Sequence, residues 1–255
     1  MFVDSHCHLD FPELAAQLDA LLARMAANDV VAALCVAVNL EDFPRLLALA
    51  ESDPRLFASV GVHPDYPDVT EPDVATLVAH AAHPKVVAIG ETGLDYYRLT
   101  DAPEWQRERF RVHIRAARAA NKPLIVHMRS ASEDTVRILR EEGAEAVGGV
   151  MHCFTGDWAS AEAAMELGFC ISFSGIVTFR SAAELREVAA RVPDEWLLIE
   201  TDSPYLAPEP HRGKRCEPAF VRHVAERLAL VRGTSVERIA EITTNNFHRI
   251  FKALG

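Results

Sequence analysis

The chain has no long apolar stretch, no C-x-x-C cysteine pair, no glycine-rich phosphate fingerprint and no excess of basic charge. Nowhere in its 255 residues does an apolar run approach the ~20 residues that span a bilayer, so no membrane segment is expected. No basic patch followed by an apolar run opens the chain, and no secretory signal is expected. The five cysteines (Cys7, Cys35, Cys153, Cys170, Cys216) are odd in number. They read as small buried thiols of a reducing, cytoplasmic compartment rather than as a disulfide framework. The missing G-x-G-x-x-G and P-loop patterns argue against a nucleotide-cofactor fold. Lysine and arginine number 26 against 37 acidic residues, for a net charge of −11. The chain as a whole is therefore no electrostatic nucleic-acid binder, although a local basic site stays open.

Short apolar runs alternating with amphipathic stretches are what the chain does have. The runs are residues 1–6, 30–38, 56–62, 86–91, 123–128, 146–154, 169–175 and 196–202. Each is rich in Val, Ile, Leu or Phe, as strands buried on both faces should be. Between them, WQRERFRVHIRAARAANKP carries Phe110, Ile114 and Ala117 at helical spacing. SASEDTVRILREEG opens with Ser130 and Glu133 as a capping box and ends at Gly143. No linker, repeat or low-complexity tract divides the chain. Eight such units predict one (β/α)8 TIM barrel over residues 1–255, with a doubly wound open sheet as the alternative.

A barrel of this kind puts its active site at the C-terminal ends of the strands. The runs end in His6-Cys7-His8, His63-Pro64, Glu91-Thr92-Gly93, His127-Met128-Arg129, His152-Cys153 and Glu200-Thr201-Asp202. Six of the eight ends thus carry polar, metal-competent side chains. Alternation along a strand aims His6 and His8 the same way and turns Cys7 aside. Together with Glu91, His127, His152 and Asp202 they form an expected metal site. Six ligands exceed what one ion needs, so two divalent ions are expected, bridged by Glu91. Four imidazoles favour zinc or manganese for at least one ion, with magnesium able to serve the weaker site.

These segments carry a family resemblance. DSHCHLD, GVHP, GETGLDYY, VHMRSA, MHCFTG, ETDSPYLAP, HRGKRCEP and TTNNFHRIF, from residue 4 to about residue 251, resemble the TatD family of metal-dependent deoxyribonucleases. The resemblance implies a TIM barrel, a divalent-metal site and hydrolysis of DNA phosphodiester bonds, often from the 3′ end. The family's metal positions fall on the same six residues. Cys216 stands where the family usually has Asn, and Thr92 where a branched aliphatic is usual. Glu91 stands where amidohydrolase relatives carry a carboxylated lysine.

On this reading Asp202, Glu91 and His63 are the candidate catalytic residues. Asp202 ligates an ion and takes a proton from water, and His63 contacts a phosphate or the leaving group. His63, Tyr97, Arg129, Arg212 and Lys214 are the candidate substrate-binding residues. Tyr97 stacks on a base, Arg129 binds phosphate, and the HRGKR run (211–215) follows the phosphate-binding loop after strand eight. Glu200 would bond a ligating histidine, and Asp4 would orient a ligand from one step deeper. His80, His83, His113, His223 and His248 are expected to be exposed or helix-capping, and Trp105, Trp158 and Trp196 to pack. The expected substrate is DNA, with no protein partner evident. The alternative is an amide or ester hydrolase on the same scaffold, aminoacyl-tRNA deacylation included.

Overall fold

A computed structural model of the chain describes residues 1–97, 99 and 103–252. Eight strands, β1 (Phe2–Cys7), β2 (Val30–Cys35), β3 (Leu56–Val60), β4 (Val86–Asp95), β5 (Leu124–Arg129), β6 (Gly149–Met151), β7 (Phe169–Phe173) and β8 (Leu197–Ile199), form one sheet in sequence order. All paired strands run parallel. A bridge from Cys7 to Ser203 brings the last strand's extension back to the first. Beside it the His8 amide donates to Ser203 O at 2.8 Å and the Asp202 amide to His6 O at 2.9 Å. Helices fill the intervals between strands, and two more, Val221–Arg232 and Val236–Phe251, follow β8. This is a (β/α)8 barrel, nearly closed. No described helix is long and apolar enough to cross a membrane.

Two apolar clusters hold it. The larger lies between the strands and the helices, and includes Phe110, Ile114 and Ala117 of the helix Glu104–Ala120. The second takes side chains from all eight strands, such as Val3, Leu34, Phe57, Val87, Ile125, Val150, Cys170 and Leu198. Residues from every strand can meet only inside the barrel. Phe247 and Phe251 of the last helix join them, so that helix plugs the end opposite the strand C-termini.

Local chemistry shifts several expected boundaries. β8 stops at Ile199, short of Asp202. The buried Asp4 carboxylate accepts the Thr201 amide at 2.8 Å and the Thr201 hydroxyl at 2.5 Å. These bonds tie Thr201 to β1, and the next residue, Asp202, leaves the extended conformation at φ +56°. Asp4 therefore anchors the segment after β8; it reaches only the backbone of His6, at 3.4 Å, and not a ligand side chain as expected. β4 runs four residues past Glu91, to Asp95. Gly93 permits this: at φ +133° a Cβ there would sit 2.0 Å from His127 O. The Ser130–Glu133 capping box does not form. Ser130 has φ +56° and the helix begins at Ser132, capped by Ala131 without a side-chain bond.

Candidate metal centre

The strand ends converge on Glu91. Its Oε2 lies 3.3 Å from His6 Nε2 and 4.0 Å from His8 Nε2. Its Oε1 lies 3.0 Å from His152 Nε2, 3.1 Å from His127 Nδ1 and 3.3 Å from His63 Nε2. One carboxylate thus faces imidazoles with each of its oxygens, and the two groups adjoin where His6 stacks on His152 at 3.7 Å between ring centroids. Asp202 stands beside the first group, with Oδ1 3.5 Å from His8 Nε2 and 3.8 Å from His6 Nε2. Three overlapping sets have donor atoms close enough to share an ion: His6, His152 and Asp202; His6, His8 and Glu91; His63, Glu91 and His127. All six strand-end candidates are in these sets, and His63 with them.

The donor chemistry fits a metal. His8 Nδ1 is held by Val36 O at 3.0 Å, and His152 Nδ1 by Glu200 Oε1 at 2.8 Å. With those protons committed, each ring in its neutral form would aim a bare Nε2 lone pair at carboxylate oxygens. Lone pair against lone pair is repulsive unless a cation lies between. The Nε2 atoms of His6 and His8 are 3.3 Å apart, close to the ~3.4 Å that separates two nitrogens each about 2.1 Å from one tetrahedral ion. The same field acts on protons. Burial alone would raise the Glu91 carboxyl, but His152, His63 and His6 hold it well below the usual carboxylate range. Burial would lower His152, but Glu91 and Glu200 raise it well above its ordinary value. Burial would raise Asp202, but His8 and the other imidazoles keep it low and ionised.

His63 differs from the rest. Its Nδ1 accepts the Asp65 amide at 3.0 Å, so the neutral ring carries its proton on Nε2. Burial lowers its pKa, favouring that neutral donor. His127 links two carboxylates, Glu91 through Nδ1 and Asp95 through Nε2 at 3.0 Å. Glu200, the expected partner of a site histidine, bonds both His152 and the Cys153 amide, the latter at 2.8 Å. Asp95 joins the site in addition to the strand-end candidates, bonding His127 and lining the cavity. Its signal is present: Glu91, Gly93 and Asp95 alternate on one face of β4.

Above the cluster opens a cavity of about 660 Å³, ample for a nucleotide-sized ligand. Arg129 is the one arginine or lysine among the described lining residues. It stacks on Tyr97 at 3.9 Å. Tyr97 itself, 62% exposed, lies outside the lining. Arg212 and Lys214 also lie outside it: the Arg212 guanidinium covers Phe179 at 3.8 Å and donates to Ala207 O. Phe11, Tyr66 and Tyr205 line the cavity; of these only Tyr205 lies in a segment of the family resemblance, ETDSPYLAP, and none was a candidate site residue. Cys153, expected among buried thiols, is half-buried and lines it too. His113, expected at the surface or at a helix cap, is fully buried and accepts the Val62 amide at 3.0 Å. Trp105 is a surface ring with Arg109 over it at 4.8 Å.

A barrel whose strand ends gather imidazoles around a shared carboxylate belongs to the class of TIM-barrel metal-dependent hydrolases. The family model for TatD-related DNase matches residues 3–252, and the chain belongs to that family. It is 50% identical over 253 residues to the uncharacterized metal-dependent hydrolase YcfH of Escherichia coli K12, covering 98% of this chain and 95% of that protein. It is 33% identical over 257 residues to the 3′-5′ ssDNA/RNA exonuclease TatD of Salmonella typhimurium, covering 98% and 99%. The crystal structure of YjjV, a TatD homolog from Escherichia coli K12, superposes with a TM-score of 0.89 at 30% identity, covering 98% of each chain.

Proposed function

We propose that the chain hydrolyses phosphodiester bonds of single-stranded DNA from the 3′ end, with two divalent ions. The observation that carries this reading is Glu91, whose two oxygens face different imidazole groups at the floor of one cavity. Substrate class and polarity are supported by the 33% identical relative named as a 3′-5′ ssDNA/RNA exonuclease. His6, His8 and Asp202 would hold one ion on the Oε2 side. His127 and His152 would hold the other on the Oε1 side, with Glu91 shared. The imidazole-rich donor set suits zinc or manganese, and magnesium less. Bound ions would supply Lewis acidity toward phosphoryl oxygens and bring a water's pKa toward neutrality.

The chain's own groups then have separate tasks. Asp202, kept ionised by the imidazoles, accepts the proton of the attacking water. His63 offers its Nε2 proton to a phosphate oxygen or to the leaving oxygen. Arg129 neutralises a phosphate at the cavity lip. Arg212 and Lys214 serve only backbone phosphates beyond the cavity, and Tyr97 acts by holding Arg129. Glu200 and Asp95 fix the rings of His152 and His127.

The test is a metal-replete assay on end-labelled single-stranded DNA beside a generic carboxylic ester, comparing the protein with His127→Ala. DNA cleavage lost in the variant is expected. Cleavage of the ester without cleavage of DNA would overturn the reading.

A further inference from the structure

Three aromatic rings line the cavity from three different loops, and the hydrolytic roles above use none of them. Each is tied to a member of the donor cluster. Phe11, after β1, lies flat on His8 with ring centroids 4.9 Å apart and planes at 17°. Tyr66, after β3, meets His63 edge-on at 5.8 Å. Its carbonyl accepts from the buried Arg109 guanidinium at 2.9 Å, which also holds His63 O at 3.0 Å. Tyr205, after β8, donates its amide to Asp202 O at 3.0 Å and meets Phe11 edge-on at 6.3 Å. The rings form an arc over the β8–β1–β3 side. Tyr205 is nonetheless 53% exposed, so packing does not account for its ring.

The lining carries both apolar and charged chemistries: Val38, Leu206 and Ile176 join the aromatic rings, Met128 and Arg129 come from β5 with Arg129 stacked on Tyr97, and Asp65 stands beside Tyr66. A nucleotide has the same two-part character: a flat apolar base and a charged phosphate. We infer that Phe11, Tyr66 and Tyr205 form a nucleobase-stacking subsite for a base flanking the scissile phosphate, with Arg129 engaging a neighbouring phosphate. The subsite rests on the nuclease reading and adds to it how the substrate is held. Stacking uses the π-face common to every base, so the subsite tolerates sequence. Tyr205 is the ring to test, because Phe11 and Tyr66 pack directly on His8 and His63.

The experiment uses the manganese-loaded protein and 5′-labelled oligothymidylate, intact or with one abasic nucleotide at the terminal or penultimate 3′ position. KM and kcat are measured for the wild type, Tyr205→Ala and Tyr205→Phe, and binding is followed separately by fluorescence anisotropy. Tyr205→Ala is expected to raise KM on intact oligomer by about tenfold to a hundredfold, the range of one lost base stack. Its kcat should stay within about threefold, and Tyr205→Phe should restore KM. On one of the two abasic oligomers the wild type and Tyr205→Ala should have equal KM. Equal KM on intact DNA would overturn the subsite while leaving the nuclease reading in place. So would an equal Tyr205→Ala penalty on intact and both abasic oligomers. A wild type that neither binds nor cleaves any oligonucleotide would remove both.

Discussion

Acid should loosen this barrel through a histidine that is no part of the metal centre. His113 is fully buried in the helix Glu104–Ala120. Its Nδ1 donates to Arg109 O at 2.8 Å and its Nε2 accepts the Val62 amide at 3.0 Å. The Val62 contact requires the neutral ring; a protonated ring would keep its bond to Arg109 O but turn Nε2–H against the Val62 N–H. Burial first, and then the charge of Arg109, lowers its pKa from 6.5 to about 4. Between those values the unfolded chain binds the proton and the folded one does not, so stability falls as pH falls. At 1.36 kcal/mol for each pH unit the loss is about 2 kcal/mol by pH 5 and about 3 kcal/mol by pH 4. Val62 immediately precedes His63, so the bond that fails is the one setting the end of β3. The perturbation is His113→Gln, which keeps an acceptor for Val62 but does not titrate. Urea unfolding followed by circular dichroism, at steps from pH 7 to pH 4, gives both stabilities. The wild type should lose about 3 kcal/mol more than the variant across that range. Parallel pH profiles would refute the reasoning, whatever the absolute stability of the variant.

Three further outcomes are expected. Glu200→Gln removes the charge that orients His152 and should weaken metal binding about tenfold to a hundredfold, read by competition with a chromogenic chelator while far-UV circular dichroism stays unchanged. Gly93→Ala puts a methyl group 2.0 Å from His127 O at φ +133°; strain and overpacking together should cost about 2–6 kcal/mol, measured by denaturant midpoint. Stripping metal with a chelator should abolish hydrolysis and leave the circular dichroism spectrum of the barrel in place, because both apolar clusters form without the donor residues. Collapse of the fold on metal removal would instead make the ions structural.

The sequence by itself determined the barrel and the candidates at its mouth. Apolar runs of strand length, each ending in a histidine or a carboxylate, are local patterns, and strand periodicity alone aims His6 and His8 together. Glu91 was placed between the imidazoles by its strand lying between those of His8 and His127, and its two oxygens do face His6 and His8 on one side and His127 and His152 on the other. What the tertiary structure decided depends on partners far apart in the chain. Asp4 meets Thr201 across 197 positions just past the end of β8, an outcome no window around either residue contains. Asp95 entered the site because Gly93 lets β4 run on beside His127. His113 looked like a surface histidine on a helix until the packing of that helix put Val62 against its ring. The HRGKR run follows β8 in sequence, yet the fold sets Arg212 over Phe179 and against Ala207 O, outside the cavity lining. The aromatic arc had no signature as an arc: Tyr205 lies in the ETDSPYLAP segment, but Phe11, Tyr66 and Tyr205 come from three loops that only barrel closure brings side by side. Periodicity reports which way a side chain points; which distant group it meets is set by the sum of packing across the whole chain.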